Sequence, residues 1–364
     1  MDPIAELRLL LRPAGGGVHL VSTGRAEQLA MQMQFYGASS EEEVRRAFFD
    51  RLERAPDARV LVLGVPSDVG AGYRRGANLA PAAIRAALLA RHPDWPAFCD
   101  EHGIVDVGDV FVVPQLLHDE MLSPAQIAAT RRAIYPPGTM LPVSPLSVEE
   151  RALDLLLRIA PRAAPFVIGG DHSVAWPVTA ALHRARPGFA IVQPDAHTDL
   201  LPERLGIKYC FATWAYHANE LIGRGGNIVQ VGVRASRFPK EHWETTLGVR
   251  QFWSDEIARD PGAALEAIVA HVRTTGARGV YVSNDIDGTD PAHAAATGTP
   301  EQGGFDPDFL CALIERLGRE VGLVAGDLVE VAPPLAGHDE PRRTLDTAVR
   351  YVRATIQAML ARTT

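Results

Sequence analysis

The stretch Ile191-Val-Gln-Pro-Asp195-Ala-His197-Thr-Asp199 ends an apolar run with three metal-capable side chains in five residues. Groups crowded in this way repel or desolvate one another unless a cation lies between them. Two further segments have the same character. Pro165-Phe-Val-Ile-Gly-Gly170 runs into Asp171-His172-Ser173, and Val280-Tyr-Val-Ser283 runs into Asp285-Ile-Asp287. In extended chain, residues i and i+2 point to one side. Asp195, His197 and Asp199 can therefore aim at one point, and so can Asp285 and Asp287. The inventory is two imidazoles, His172 and His197, and four carboxylates, Asp195, Asp199, Asp285 and Asp287. Oxygen and nitrogen without thiolate suit Mn²⁺, Mg²⁺, Ni²⁺ or Fe²⁺. Four carboxylates exceed the need of one divalent ion and suit two ions about 3.5–4 Å apart, which generate a nucleophile from water at neutral pH. Taken alone, Asp171-His172 reads equally well as a helix cap beside a buried histidine, and Asp-x-Asp is a common loop pattern. Three such segments, each at the end of an apolar run, argue together for metal.

These side chains need a scaffold that brings three distant segments to one place. From Ala58 onward, apolar β-branched runs at 59–64, 165–168, 189–193, 227–232, 279–283 and 322–325 alternate with helical patterns at 80–90, 147–159, 174–185, 261–274, 306–318 and 341–361. That alternation predicts a largely parallel α/β sheet with helices on both faces. In such sheets ligands bind beyond the carboxyl ends of the strands, where all three segments fall. Residues 1–57, with Gly15-Gly-Gly17 and an amphipathic segment from Ser40 to Ala55, read as an N-terminal extension. Residues 58–364 read as the catalytic domain, interrupted at about 92–146 by a Pro/Gly-bearing surface excursion.

Composition narrows the class. The chain has 364 residues, 47% hydrophobic and 22% charged, enough for a large core. A net charge of −8 without a basic tract argues against nucleic acid as a partner. Its apolar runs are too short to span a bilayer. The amino terminus lacks the basic and long apolar regions of a secretory signal. Three scattered cysteines make no disulfide framework, so a cytoplasmic protein is expected.

With these pieces in order, the chain resembles the ureohydrolases: arginase, agmatinase, guanidinobutyrase, guanidine hydrolase and formimidoylglutamase. The resemblance runs from Gly64-Val-Pro-Ser-Asp68 and Arg75-Gly-Ala77 through Gly169-Gly-Asp-His-Ser173 and Asp195-Ala-His-Thr-Asp199. It continues through Ser283-Asn-Asp-Ile-Asp287, Thr297-Gly-Thr-Pro300 and Glu330-Val331. It implies a three-layer α/β/α sandwich with an eight-stranded parallel sheet. It also implies that His172, Asp195, Asp199 and Asp285 hold one ion and Asp195, His197, Asp285 and Asp287 the other. Asp195 and Asp285 would then bridge two Mn²⁺ or Ni²⁺ ions. Glu330 would pair with a substrate guanidinium, a good bidentate match. The implied reaction is metal-assisted hydrolysis to urea, with Asp199 as proton acceptor, in a homo-oligomer, trimer or hexamer.

The chain also departs from that pattern. Phe211-Ala-Thr213 stands where the family carries His-Gly-Thr. His217, one turn beyond Thr213 on a helix, is the candidate replacement for the missing catalytic imidazole. Arg237 stands near the place where arginases carry acidic residues, which disfavours arginine, and agmatine is weakened because its distal ammonium has no evident carboxylate partner. The aromatics Tyr209, Phe211, Trp214 and Tyr216 would narrow a pocket and suit a planar cation. Thr213, Trp214 and Arg237 are thus read as substrate-binding residues beside Glu330. These features point to free guanidine or a small guanidine. Agmatine, a guanidino acid or formimidoylglutamate are the alternatives, the acids through Arg237. A catalytically silent metal-binding paralogue is a further alternative, which the intact donor set disfavours.

Overall fold

The computed structural model describes residues 2–20, 22–337 and 340–361. Its sheet follows from alternation along apolar strands. In β2 (Val60–Val65), Val60 and Val62 enter one core while Leu61, Leu63 and Val65 enter another. The same split recurs in β4 (Ala164–Gly169), with Val167 on one side and Phe166 and Ile168 on the other. A strand buried on both faces must lie between two helical layers. Helices Pro145–Ile159, Ala175–Ala185 and Trp214–Ile222 cover one face. Helices Ala80–Arg91, Pro261–Thr274, Pro307–Glu320 and Glu340–Leu360 cover the other.

The remaining strands are β1 (Leu11–Arg12), β3 (Ile104–Val110), β5 (Ala190–Pro194), β6 (Ile228–Val233), β7 (Arg250–Trp253), β8 (Val280–Asp285) and β9 (Leu323–Val329). Their spatial order is β1-β3-β2-β4-β9-β8-β5-β6-β7. The eight strands β2 to β9 are parallel to their neighbours, as the resemblance implies. The short β1 adds an antiparallel edge to β3.

The stretch read as a surface excursion at about 92–146 is corrected here, because it contains β3, paired with both β1 and β2. Asp106, Gly108 and Asp109 interrupt its apolar pattern, so Ile104-Val-Asp-Val-Gly-Asp-Val110 does not read as a buried strand. The acids are tolerated because Arg85 Nε donates to Asp106 Oδ2 at 2.8 Å and its Nη1 donates to Asp109 Oδ1 at 2.5 Å. The first 57 residues share the core of the rest: Leu7, Leu10, Leu11, Phe48 and Leu52 pack in one cluster with β2 and β4 residues. Among the described residues, no helix is long and apolar enough to cross a membrane.

Candidate metal centre

Strands β4, β9, β8 and β5 are consecutive across the sheet, although 155 residues separate Gly169 from Val324 in the chain. Their carboxyl ends therefore deliver His172, Glu330, Asp285 with Asp287, and the Asp195–Asp199 segment to one locality. His172 Nδ1 stands 3.3 Å from Asp195 Oδ2, 3.2 Å from Asp199 Oδ2 and 3.2 Å from Asp285 Oδ2. His197 Nδ1 stands 3.0 Å from Asp287 Oδ2 and 3.6 Å from Asp195 Oδ1. Asp195 thus turns one oxygen to each imidazole. Asp285 turns Oδ2 to His172, and its Oδ1 accepts from the Asp287 amide at 2.9 Å.

These separations fit an ion. Donors about 2.1 Å from a common centre and at right angles stand about 3 Å apart. One ring N–H cannot be shared among three carboxylates, and His172 Nδ1, fully buried, makes no hydrogen bond to any of them. Its other nitrogen is committed: Nε2 lies 3.0 Å from Ser283 Oγ, which donates to Asp327 Oδ2 at 2.9 Å. A carboxylate behind a ligating imidazole fixes its tautomer and leaves Nδ1 for metal. Four carboxylates carry four negative charges, which two divalent ions neutralise. Left to themselves, the groups compensate with protons. Burial opposes a charge on His197, yet Asp287 and Asp195 prevail and push its pKa up to about 12. Burial, with Asp195 beside it, raises the Asp199 carboxyl to about 6.

Backbone strain marks the same residues. Among the described residues, Asp199 (φ 52°), Glu330 (φ 60°) and Leu205 (φ 53°) are the non-glycine residues in the left-handed region. That region is unfavourable for side chains with a Cβ and clusters at functional sites. Two of the three belong to this centre. Glu330 is held by its amide on the Gly170 carbonyl (2.7 Å) and by the His172 amide donating to Oε1 (2.9 Å). Its Oε2 accepts no hydrogen bond from the described residues, which leaves it for a ligand.

Not every candidate joins the cluster. Trp214 does, but from beneath: its Nε1 donates to Asp199 Oδ2 at 3.0 Å and its ring packs 4.6 Å from that of His172. It is fully buried, beneath Asp199 and His172. Thr213 Oγ1 closes a local turn with the backbone of Cys210. His217 is turned away, packed against Trp176, Tyr209 and Tyr216, with Nε2 on the Lys208 carbonyl at 3.0 Å. Burial lowers its pKa. A helix puts residues three apart on neighbouring, not identical, bearings, and Trp214 takes the inward one. Phe211 packs against Gly72, with Arg204 over its ring. Arg237 is exposed on the loop after β6. Of the aromatic set, Tyr209 and Trp214 are inside the core, while Phe211 and Tyr216 are partly exposed.

Sequence reading missed several contributors. Thr299 Oγ1 donates to Asp287 Oδ2 at 3.0 Å. Glu301 Oε1 lies 3.8 Å from His197 Nε2, on the side where His197 is 27% exposed and the centre opens to solvent. Gln193 Nε2 donates to Asp195 Oδ2 at 2.7 Å. A polar residue inside an apolar strand was the available signal for Gln193. For Glu301 there was none.

Residues 58–357 match the arginase family model. Agmatinase of Bacillus subtilis is 29% identical over 304 residues, covering 82% of this chain and 90% of that protein. N(1)-aminopropylagmatine ureohydrolase of Thermus thermophilus is 32% identical over 299 residues, with 82% and 90% covered. Guanidinobutyrase of Pseudomonas aeruginosa is 30% identical over 280 residues, with 75% and 78% covered. Among solved structures, proclavaminate amidino hydrolase of Streptomyces clavuligerus superposes with a TM-score of 0.67 at 28% identity, covering 84% of this chain and 92% of that one.

Proposed function

The chain belongs to the arginase family of amidine-hydrolysing enzymes, and from that premise we propose that it cleaves a C–N bond of a guanidino compound of the agmatine type, releasing urea. The observation that carries the reaction class is the convergence of two imidazoles and four carboxylates at ion-binding separations. Bound there, two divalent ions, Mn²⁺ or Ni²⁺, supply a nucleophile from water and stabilise charge on the reacting group. Asp285, 3.2 Å from His172 Nδ1, would join His172, Asp195, His197, Asp199 and Asp287 in holding the ions. Glu330, with Oε2 uncommitted, pairs with the guanidinium and sets its carbon in place. Asp199, steadied by Trp214, accepts the proton released by water and passes it to the departing nitrogen. Water adds to the guanidinium carbon, the C–N bond breaks, and urea and a protonated amine leave.

The relatives favour an alkylguanidine over free guanidine, since their names give agmatine, aminopropylagmatine and guanidinobutyrate. The case for free guanidine rested on an aromatic pocket, and Tyr209 and Trp214 are packed in the core instead. The objection to agmatine was the lack of a carboxylate for its distal ammonium. Glu301, half-exposed beside His197, supplies one at the rim. We propose further that the enzyme works in the cytoplasm as a trimer or hexamer, which light scattering tests.

The decisive experiment measures product release from agmatine, guanidinobutyrate, arginine, formimidoylglutamate and free guanidine after loading with Mn²⁺ or Ni²⁺. Agmatine is expected to give the highest kcat/KM. Glu301→Gln should raise its KM with little change in kcat, the mark of lost uniform binding. Turnover of free guanidine alone would overturn the agmatine assignment. Silence on every compound by protein carrying two ions would leave the non-catalytic paralogue standing.

A further inference from the structure

Three glutamines stand in register on neighbouring strands: Gln193 of β5 opposite Gln230 of β6, and Gln230 opposite Gln251 of β7. All three are fully buried. Trp253 Nε1 donates to Gln251 Oε1 (2.8 Å), and Gln251 Nε2 donates to Gln230 Oε1 (2.7 Å). Gln230 Nε2 donates to Gln193 Oε1 (2.8 Å), and Gln193 Nε2 donates to Asp195 Oδ2 (2.7 Å). The ends dictate the direction. An indole N–H can only donate and an ionised carboxylate can only accept, so each amide between them has one orientation. Every dipole in the row presents its positive end toward Asp195.

The sheet itself does not need this row. The neighbouring positions facing the same core, Ile191 and Ile228, are apolar. A buried amide that loses its partner costs more than an apolar side chain at the same place. The row also does more than fill space, because Gln230 Nε2 reaches the Thr198 carbonyl at 2.5 Å and so grips the segment between His197 and Asp199. Hydrogen bonds in series polarise one another. The acceptor at the end is the carboxylate whose two oxygens face the two imidazoles.

We propose that Trp253, Gln251, Gln230 and Gln193 form a positioning array for Asp195, which fixes Oδ2 toward the His172 side, leaves Oδ1 to the His197 side, and so raises affinity for the ion pair. This rests on the two-ion reading above. The test compares full-length Gln193→Met and Gln251→Met with wild type, by chelator competition for Mn²⁺ and by melting of the metal-free proteins. Gln193→Met should weaken Mn²⁺ binding about tenfold or more, the scale for groups behind a metal ligand. Gln251→Met touches neither Asp195 nor an ion, yet should weaken binding a few-fold. The double variant should lose less than the product of the two, because the sites are coupled. A packing role alone would lower the melting point of the metal-free Gln251→Met protein and leave its Mn²⁺ affinity at the wild-type value; that result overturns the array. Failure of wild type to take up two ions would overturn the two-ion reading, and the array with it.

Discussion

Two clusters of buried acid in this molecule are neutralised in opposite ways. At β3, Arg85 is 1% exposed and surrounded by Asp106, Asp109 and the Gly108 carbonyl, each within hydrogen-bonding distance of its guanidinium. Burial works against the Arg85 charge, but Asp106 and Asp109 hold its pKa above the ordinary value. That cluster contains its own cation. At the carboxyl ends of β4, β5 and β8, four carboxylates converge and no arginine or lysine pairs with any of them among the described residues. Arg234 is close but binds the backbone carbonyls of Gly232, Asp287, Gly288 and Glu301. Another buried acid, Glu149, has no hydrogen-bond partner on either oxygen among the described residues, and burial, with Asp327 nearby, raises its pKa well above 4.5. That shift favours its neutral, protonated form. Burial of carboxylates is thus no sign of a site by itself. The sign is that the chain omits the neutralising charge and keeps the donors ionisable and aimed at one another.

The contrast breaks most visibly at the donors. Asp195→Ala and Asp285→Ala should reduce both bound metal and urea release to background, measured by metal analysis and product assay. Retained turnover in either variant would sink the two-ion mechanism.

Arg85→Met should do the reverse. Removing one partner of a buried ion pair costs about 3–5 kcal/mol, read in chemical denaturation, while the metal content of the folded fraction stays at the wild-type level. Loss of metal with unchanged stability would erase the distinction between the clusters.

Trp214→Phe keeps the ring beside His172 and removes the donor to Asp199. Mn²⁺ affinity should fall about tenfold, with only about 1 kcal/mol lost from the metal-free protein. Equal losses in both forms would make Trp214 a core residue only.

Glu149→Gln is the smallest effect and the sharpest in sign. The folded-state pKa of Glu149 lies above its unfolded value of 4.5, so the native protein holds a proton that the unfolded chain releases. Wild type therefore loses stability as pH rises from that value toward the folded pKa, and the amide does not. The variant should match wild type near pH 4 and melt higher at pH 8, on the order of a few degrees. A gap independent of pH would mean that Glu149 is not the protonated group.

Much of this was legible in the chain. Asp195-Ala-His-Thr-Asp199 and Asp285-Ile-Asp287 carry period-two spacing that survives folding, because extended backbone keeps i and i+2 on one side. Six of the parallel strands announced themselves as largely apolar runs. Strand β3 did not, because its acids needed an arginine from a helix that the sequence places about 20 residues away. His217 looked like a replacement imidazole because four residues span one helical turn. Which bearing of that helix faces the centre depends on how Trp214 packs against His172.

The sequence by itself determined the donor types, their local spacing and the α/β alternation, since these are short-range properties of covalent geometry. Strand order, the split of Asp195 between two imidazoles, the Glu301 rim and the glutamine row belong to the tertiary structure. Each depends on which strands lie side by side, and adjacency across a sheet is set by the packing of two helical layers, a sum over the whole chain that no segment of it contains.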